Sequence, residues 1–350
     1  MQHMKIVLTT DSYKECLTAD EVTQAMADAV LGLYPEAEVV RLPLADGGEG
    51  TLGVLASALR ADIHTVTVSD PLRRPVTAKY GVTGETAIIE IAQACGLSLL
   101  SPIERNPLLA SSRGVGELLM AAYAEGCRHF IVGLGGSATC DGGTGMLEVP
   151  GFKELKGISV ELLCDVDAPF VGPRGAARVF APQKGASAQD VEELESRMVK
   201  LADIFRRETG VDVTDLPGAG GAGGLGGAFM AYLGAKMVNG VNRIMDLIGF
   251  DESCLGATLI FTGEGKSDAQ TLMGKVPMGV LQRANGAPVA LLSGRIENRN
   301  LLDQAGFSPI VEVSPRHLPL SQAMNPEIAM ANLQKAVKKA MLFNRIGRQS

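Results

Sequence analysis

The sequence contains no tryptophan, and aromatic residues of all kinds make up only 4% of its 350 positions. A surface that stacks nucleic-acid bases needs such rings, so a single-strand-binding platform is disfavoured. Basic residues do not dominate either, because the formal net charge is −7 and the isoelectric point is near 5.3. A large contact with a phosphate backbone is therefore not expected. We predict that the partners are small molecules rather than nucleic acids.

Long apolar runs are also missing. No stretch of about 18 or more apolar residues is present that could span a bilayer. The first residues lack the basic, apolar and small-residue regions of a secretory signal. The six cysteines are widely scattered without a C-x-x-C pair, which is typical of thiols in a reducing compartment. These absences predict a cytoplasmic protein with no membrane partner.

Three common catalytic signatures are absent from the sequence. The four histidines have no metal-ligand spacing, and no G-x-S-x-G segment indicates a hydrolase triad. Gly265-Lys266-Ser267 imitates the end of a Walker A loop, but Ile260 stands where its first glycine is required. Any kinase activity must therefore use a different phosphate-binding loop.

The composition is that of a globular protein, with 46% hydrophobic and 20% charged residues, and the length predicts two domains. Both chain ends alternate short apolar strands with helical segments, the pattern of α/β units. Thr18 and Glu21 have capping-box spacing and predict the start of the first helix. The last helix is expected from Pro326 to about Ile346. The strands predicted near the chain ends comprise residues 5–10, 257–262, 288–292 and 309–313.

The middle of the chain has a different sequence pattern, because strand candidates at 63–68 and 77–82 are mixed with long glycine-rich loops. We therefore predict a Rossmann-like, discontinuous α/β domain formed by residues 1–64 and 257–350. A second α/β domain, residues 65–256, is expected as an insertion in it. The active site is expected in the cleft between the two domains, a common position for ligands.

Residues 133–145, GLGGSATCDGGTG, follow a strand candidate at 129–132 and place hydroxyl and acidic side chains among six glycines. Unshielded N–H groups in such a loop can bind an anion. The alternative is a set of tight turns that need positive φ. A second tract, 216–227, either approaches a ligand closely or is a flexible connection. The candidate cofactor-binding residues of the first loop are Gly135, Gly136, Ser137, Thr139, Asp141, Gly142 and Gly143.

Acidic side chains recur on loops at or near predicted strand ends. Carboxylates in such positions suit Mg²⁺ coordination and general-base catalysis. One Asp in a glycine-rich turn is usually only a turn former, but the recurrence favours an active cleft. Basic side chains near the same loops, Lys14 and Arg113 among them, suit an anionic substrate. The acidic candidates are Asp11, Asp46, Asp141, Asp165, Glu264 and Asp268.

Taken together, these loops resemble those of the type I glycerate kinase family, the glycerate 2-kinase group, over nearly the whole chain. Seven long segments match in the family's order, which is far more specific than any one glycine-rich loop. They are DSYKECLTADEV (11–22), PLADGGEGT (43–51), ERNPLLASSRGVGEL (104–118), GLGGSATCDGGTGML (133–147), CDVDAPFVGPRGAARVFAPQKGAS (164–187), LPGAGGAGGLGGAF (216–229) and FTGEGKSDAQTLMGKVPMGV (261–280).

The resemblance implies transfer of the γ-phosphoryl group of ATP to D-glycerate, with Mg²⁺, in glycerate, glyoxylate or aldarate catabolism. It favours 2-phosphoglycerate as the product, with 3-phosphoglycerate as the alternative, and it leaves a homodimer open. Asp165 is implied as the base that accepts the hydroxyl proton. Asp11, Ser12 and Lys14 are implied as the loop that holds the substrate carboxylate or phosphate, with Asp11 and Lys14 also counted as catalytic.

The same resemblance implies further roles around the acidic loops. Asp46 and Arg113 are expected to contact the substrate. The nucleotide is expected to lie against Gly263, Glu264 and Gly265 in addition to the 133–145 loop. The expected metal ligands are Asp46, Glu264 and Asp268.

Two features depart from the family pattern. Between residues 151–153 and Val160 the chain is markedly shorter and lacks a glycine-rich stretch that the family has there. Cys140 stands where the family usually has Asn, which changes the hydrogen-bonding capacity beside Asp141. Both departures bear on whether the activity is unaltered.

Two other functions compete with a kinase. GLGGSA at 133–138 satisfies the G-x-G-x-x-A fingerprint of a dinucleotide-dependent oxidoreductase. The helix that this fingerprint requires would, however, be broken by residues 141–145. A non-catalytic binding protein would follow if the shortened loop had disabled catalysis, but Asp11, Asp46, Asp165 and Glu264 are retained.

Overall fold

A computed structural model describes residues 4–346, and for residues 344–346 the backbone only. The chain divides into two compact units. The first unit is described over residues 4–46 and 241–346, and the second unit comprises residues 47–240. Both are α/β structures, and the chain of the first unit is interrupted by the second. The predicted fold class is confirmed.

The described strands are short, as expected for α/β units. They are β1 (Lys5–Leu8), β2 (Glu38–Arg41), β3 (Asp62–Ser69), β4 (Pro75–Thr83), β5 (Thr86–Glu90), β6 (His129–Gly133), β7 (Ser159–Leu163), β8 (Lys236–Val238), β9 (Leu259–Thr262), β10 (Lys266–Ser267), β11 (Val289–Ser293), β12 (Arg295–Ile296) and β13 (Ile310–Glu312).

The described α-helices range from single turns to long amphipathic helices. They are α1 (Ala19–Leu33), α2 (Thr51–Leu59), α3 (Ala92–Cys95), α4 (Arg113–Ala124), α5 (Thr144–Leu147), α6 (Ala176–Phe180), α7 (Ala188–Thr209), α8 (Leu225–Leu233), α9 (Gly240–Leu247), α10 (Phe250–Cys254), α11 (Val276–Arg283), α12 (Arg299–Ala305), α13 (Leu320–Ala323) and α14 (Pro326–Ile346). Short 3-10 helices cover Leu97–Leu99, Pro102–Glu104, Pro182–Lys184 and Ala269–Met273.

The first unit is built on a parallel sheet in the order β13-β11-β9-β1-β2. Counted along the unit's own chain, this is the 2-1-3-4-5 order of doubly wound folds. The order reverses between β1 and β9, which pair from Ile6–Leu259 to Leu8–Phe261. Ligands of such sheets bind outside the carboxyl ends of the strands at this point of reversal. The fold therefore predicts a ligand site at the loops after β1 and β9.

Helices α1 and α14 supply one side of the first unit's core. Thr18 and Glu21 form the predicted capping box, in which the Thr18 side chain accepts from the Glu21 N–H. Helix α1 buries Val22 and Met26 in the same cluster as Leu333 of α14. Helix α14 spans the predicted range from Pro326 to Ile346. Capping and the apolar stripe thus anchor the segment that follows the loop after β1.

The second unit contains a mixed sheet in the order β3-β4-β5-β6-β7-β8. Strands β3, β4 and β5 are antiparallel neighbours, and β5 to β8 are parallel neighbours. Its core is a large apolar cluster that includes Phe130, Phe170 and Phe229. The predicted strands at 63–68, 77–82 and 129–132 correspond to β3, β4 and β6.

The units divide at 46/47 and 240/241, before the boundaries at 64/65 and 256/257 that the sequence predicts. Helix α2 packs against β4 and β5 of the second unit, so residues 51–59 fold with that sheet. At the division at 240/241, Arg283 of α11 binds Asp246 at 2.7 Å and Asp251 at 2.8 Å. These ion pairs join α9 and α10 to the first unit.

Within residues 4–346, no helix combines the length and the apolar character that a membrane crossing requires.

Candidate active site in the first unit

A pocket of about 390 Å³ lies in the first unit, and the loops that follow β1 and β9 form part of its lining. Two kinds of side chain line it, charged and apolar. The charged ones are Asp11, Lys14, Asp46, Glu264, Lys266, Lys275 and Arg295, and the apolar ones include Cys16, Val313, Leu320, Ala323, Met324 and Ala329. Ser12 and Gly265 also face it. The structure thus brings six predicted site residues into one place: Asp11, Ser12, Lys14, Asp46, Glu264 and Gly265.

The loop after β1 is held by backbone contacts with the neighbouring strands. The Asp11 N–H donates to the Gly263 carbonyl at 3.0 Å, and the Tyr13 hydroxyl donates to the Leu292 carbonyl at 3.0 Å. Gly263 is required at this contact, because a Cβ there would lie 1.7 Å from the Leu292 oxygen. The loop carrying Asp11 is therefore fixed against β9 and β11.

Asp11 is a buried carboxyl group whose charge is disfavoured. Burial raises its pKa to about 7, and the negative charges of Asp46 and Glu264 contribute in the same direction. The Ser12 N–H, which donates to Asp11 Oδ1 at 2.7 Å, and the nearby Lys14 act in the opposite direction. A carboxyl group that titrates near neutral pH is suited to accept a proton during a reaction.

Glu264 follows β9 and is oriented by hydroxyl groups. Its Oε1 accepts from Thr271 Oγ1 at 2.6 Å and from Ser267 Oγ at 3.0 Å, and Ser267 is within 2.7 Å of Ser293 Oγ. Its Oε2 lies 3.6 Å from Lys275 Nζ. Burial raises the pKa of Glu264 in spite of these contacts. One carboxylate oxygen is thus fixed by the protein, and the other faces a lysine at the pocket.

The predicted metal ligands are only partly together. Asp46 and Glu264 line the pocket, whereas Asp268 does not. Asp268 caps the 3-10 helix at 269–273 by accepting from the Gln270 N–H at 2.8 Å. Over residues 4–346, no group of three His, Cys, Asp or Glu side chains is arranged to hold a metal ion. Two carboxylates suit Mg²⁺, which usually takes its other ligands from phosphates and water.

Arg295, Lys275 and the apolar side chains of the pocket are not among the predicted site residues. Arg295 begins β12, just beyond Gly294 at the end of β11, and its guanidinium binds Glu312 at 3.2 Å. Because carboxyl ends of parallel strands meet at one edge, its place after a predicted strand was a usable signal. Most apolar side chains of the pocket come from residues 313–329, which carry no motif of their own.

The glycine-rich loop 133–145 belongs to the second unit, and the anion that its N–H groups bind is the carboxylate of its own Asp141. The Asp141 carboxylate accepts from the Ser112 N–H at 2.8 Å, Ser112 Oγ at 2.9 Å, the Gly143 N–H at 3.0 Å and the Gly145 N–H at 3.1 Å. The Gly142 N–H donates to the Gly223 carbonyl. These N–H groups are therefore engaged by protein oxygens. A role of the loop in nucleotide binding stays a prediction.

A buried lysine completes this loop. Lys184 Nζ donates to Ser137 Oγ and to the Thr139 carbonyl, both at 2.7 Å, and burial lowers its pKa.

A second pocket, of about 380 Å³, lies nearby in the same unit. Of the predicted cofactor-binding residues in the 133–145 loop, Asp141 lines this second pocket and the other six do not.

The glycines at 135 and 136 allow a close approach within the second unit. The Gly135 N–H donates to the Gly47 carbonyl at 3.1 Å, and a Cβ at Gly135 would lie 2.3 Å from Gly48 Cα. Gly136 has φ of +76°, a conformation that favours glycine. The loop therefore packs backbone against backbone.

We expect Gly135→Ala to destabilise the protein by about 1–3 kcal/mol or more, because the backbone at Gly48 must move. Gly53→Ala is the matched control, since Gly53 lies in α2 with open space around its Cβ position. It should be neutral or stabilise by up to about 1 kcal/mol. Thermal unfolding of the two variants measures the difference. Equal stability of Gly135→Ala and wild type would contradict the packing described here.

Asp165 and Arg113 also belong to the second unit. Asp165 follows β7, and its Oδ1 accepts from Asn239 Nδ2 at 2.6 Å and from the Gly240 N–H at 2.9 Å. Arg113 begins α4 and donates from Nε to Glu117 at 2.9 Å. Neither residue lines the pocket of the first unit. Their predicted catalytic and substrate-binding roles stay predictions.

Known proteins match the chain over nearly its whole length. A sequence model of the glycerate kinase family matches residues 6–156 and 151–344. A glycerate kinase from Bacillus cereus (strain ATCC 10987 / NRS 248) is 38% identical over 369 aligned residues, covering 96% of each chain. A glycerate 2-kinase from Escherichia coli K12 is 38% identical over 344, covering 89% of this chain and 90% of that one.

A solved structure agrees with these sequence matches. A protein assigned as glycerate kinase 2 from Salmonella typhimurium LT2 is similar with a TM-score of 0.85 and 35% identity, and the match covers 100% of both chains.

This chain carries gaps in the alignment with the Bacillus cereus protein, because that alignment is longer than the chain. The two matches to the family model overlap at residues 151–156. There, the connection from α5 to β7 is short and packed, with Phe152 and Leu155 buried in the core of the second unit. The family model and the relatives show that the chain belongs to the glycerate kinase family.

Proposed function

We propose that this protein transfers the γ-phosphoryl group of ATP to the 2-hydroxyl of D-glycerate, giving 2-phosphoglycerate and ADP. The observation that carries the proposal is the pocket of the first unit. It joins Asp11, Asp46 and Glu264 to several lysine and arginine side chains at the reversal point of a doubly wound sheet. Family membership and the names of the relatives supply the substrate and the product.

In this reaction the glycerate hydroxyl oxygen attacks the γ-phosphorus, and the bond from that phosphorus to the β,γ-bridging oxygen breaks. ADP leaves, and the hydroxyl proton passes to a carboxylate and then to solvent. Catalysis of this step depends mainly on alignment and on neutralising charge. Lys14, Lys275 and Arg295 are placed to do this for the phosphates and for the substrate carboxylate.

Mg²⁺, when bound with ATP, would neutralise charge on the β- and γ-phosphates. We propose Asp46 and Glu264 as the carboxylates that hold it. Both line the pocket, and both are close enough to Asp11 to raise its pKa.

For the proton acceptor we propose Asp11. The family resemblance implies Asp165, but Asp11 is the carboxyl group in the described pocket whose pKa is raised to about 7. Its loop is fixed by the Gly263 carbonyl, so its position does not depend on a flexible segment. A base with a pKa near the working pH combines an ionised fraction with sufficient basicity.

We also propose that the enzyme is cytoplasmic, because ATP is available there.

The first test is a kinase assay with Mg-ATP and D-glycerate in which phosphorus NMR separates the products. We expect 2-phosphoglycerate and stoichiometric ADP. Formation of 3-phosphoglycerate would overturn the position of transfer and keep the kinase. Absence of ADP release with D-glycerate would overturn the proposed substrate.

A further inference from the structure

The pocket of the first unit is lined by charged and by apolar side chains. The charged residues come from the segments that follow β1, β2, β9 and β11. Four apolar residues, Val313, Leu320, Ala323 and Met324, come from the segment between β13 and α14. Leu320 is 68% exposed at the pocket. We call these four residues the apolar wall.

D-Glycerate does not account for this wall. It is a three-carbon acid with oxygen on each carbon, and its recognition needs hydrogen bonds and cations. A pocket of about 390 Å³ lies within the roughly 300–1,000 Å³ of sites for larger ligands, which combine apolar walls with a few polar groups. The remaining reactant is ATP, which joins an apolar purine ring to a triphosphate.

Resting on the function proposed above, we infer that the apolar wall binds the adenosine part of ATP. The triphosphate then runs from the wall towards Lys275 and Glu264. This places the whole nucleotide site in the first unit. It differs from the sequence-based expectation, in which the 133–145 loop of the second unit binds the phosphates.

The turns after β9 and β11 support this direction. Strands β10 and β12 pair Lys266 with Arg295, and a Cβ at Gly294 would lie 2.5 Å from the Gly265 carbonyl oxygen. The two turns therefore pack closely and present Lys266 and Arg295 at the pocket. Lys275 lies just before α11. These cations line the same pocket as the apolar wall and the acidic residues, and a triphosphate needs such cations.

The short helix α13 offers a matched pair of variants. Ala323 lines the pocket, whereas Ser321 in the same helix is exposed and does not. Ala323→Phe should fill the space of the purine and raise both the KM for ATP and the Kd for ADP by roughly tenfold or more. Ser321→Phe adds the same bulk outside the pocket and should leave both within about twofold. The KM for D-glycerate should change by less than about twofold in each variant.

Met324→Ala gives an independent test that removes apolar contact instead of adding bulk. It should weaken ADP binding by about threefold or more, and it supports the inference even if Ala323→Phe fails to fold. Unchanged ADP binding in Met324→Ala and in a folded Ala323→Phe would overturn the inference. A rise in the KM for D-glycerate alone would also overturn it, because the wall would then bind the acid.

Titration calorimetry with ADP and Mg²⁺ keeps this inference separate from the proposed function. If the wild type transfers no phosphate to D-glycerate, the proposed reaction fails. The ADP titrations on wild type, Ala323→Phe and Ser321→Phe still report whether the apolar wall binds the nucleotide.

Discussion

Replacing Asp11 by Asn should lower kcat by roughly 10²–10⁴-fold, because the variant has no carboxylate to accept the hydroxyl proton. The same change should stabilise the protein above neutral pH. Asp11 is buried, and its pKa is raised to about 7 from the ordinary 3.8. The asparagine removes a buried negative charge next to Asp46 without changing the size of the side chain. Loss of activity with a gain in stability is expected of a functional carboxylate.

The sign of the pH dependence follows from the direction of the pKa shift. Between about pH 4 and pH 7 the folded protein retains a proton that the unfolded chain has lost, so wild-type stability falls as the pH rises through this range. In Asp11→Asn this fall in stability is absent, because the asparagine side chain does not titrate. The stability difference should therefore be near zero below about pH 4, grow up to about pH 7 and then level off at a value on the order of 4 kcal/mol.

Thermal unfolding at several pH values, together with the pH dependence of kcat, measures both effects. In the wild type kcat should fall below about pH 7 as Asp11 takes up a proton, and this limb should be missing in Asp11→Asn. Asp165→Asn is the comparison. If Asp165→Asn loses turnover and Asp11→Asn keeps it, the base is Asp165 and the assignment made here is wrong.

Much of the first unit can be predicted from its sequence because local signals agree with the fold. Residues 5–10, 257–262, 288–292 and 309–313 are apolar, short and followed by turns, and they correspond to β1, β9, β11 and β13. All are central or buried strands of a parallel sheet, whose apolar runs are easy to recognise. The loops after β1 and β9 then carry seven of the eight predicted site residues of the first unit.

What could not be predicted depends on contacts between distant segments. Asp141 was expected to border an anion site, but it accepts four hydrogen bonds from Ser112, Gly143 and Gly145. Nothing in the local sequence shows that residue 112 would reach it. The sequence places the first boundary at 64/65 and the structure at 46/47 for a similar reason, because the sheet against which α2 packs is not visible in the helix itself.

The second large effect is expected at Glu264, where the protein fixes one carboxylate oxygen and leaves the other towards Lys275. Glu264→Gln retains an oxygen that can accept from Ser267 and Thr271. It removes the negative charge that we propose for holding Mg²⁺ beside the phosphates. We expect kcat to fall roughly 10²-fold, as when one preorganised electrostatic contact is lost. The Mg²⁺ concentration for half-maximal rate should rise by about tenfold or more.

Stability separates this effect from simple damage to the fold. Burial raises the pKa of Glu264, so its negative charge costs free energy in the folded protein near pH 8. Glu264→Gln should therefore unfold at the same temperature as wild type or higher. Its activity is measured at fixed ATP while Mg²⁺ is varied, and its melting temperature is measured in the same buffer.

Glu297→Gln is the matched control for this experiment. Glu297 is an exposed acid that pairs with Lys266 at 3.0 Å and does not line the pocket. Its loss should change kcat and the Mg²⁺ dependence by less than about twofold, since exposed ion pairs contribute little. If Glu264→Gln and Glu297→Gln behave alike, Glu264 does not serve the metal. The hydroxyl groups of Ser267 and Thr271 would then stabilise only the turn after β9.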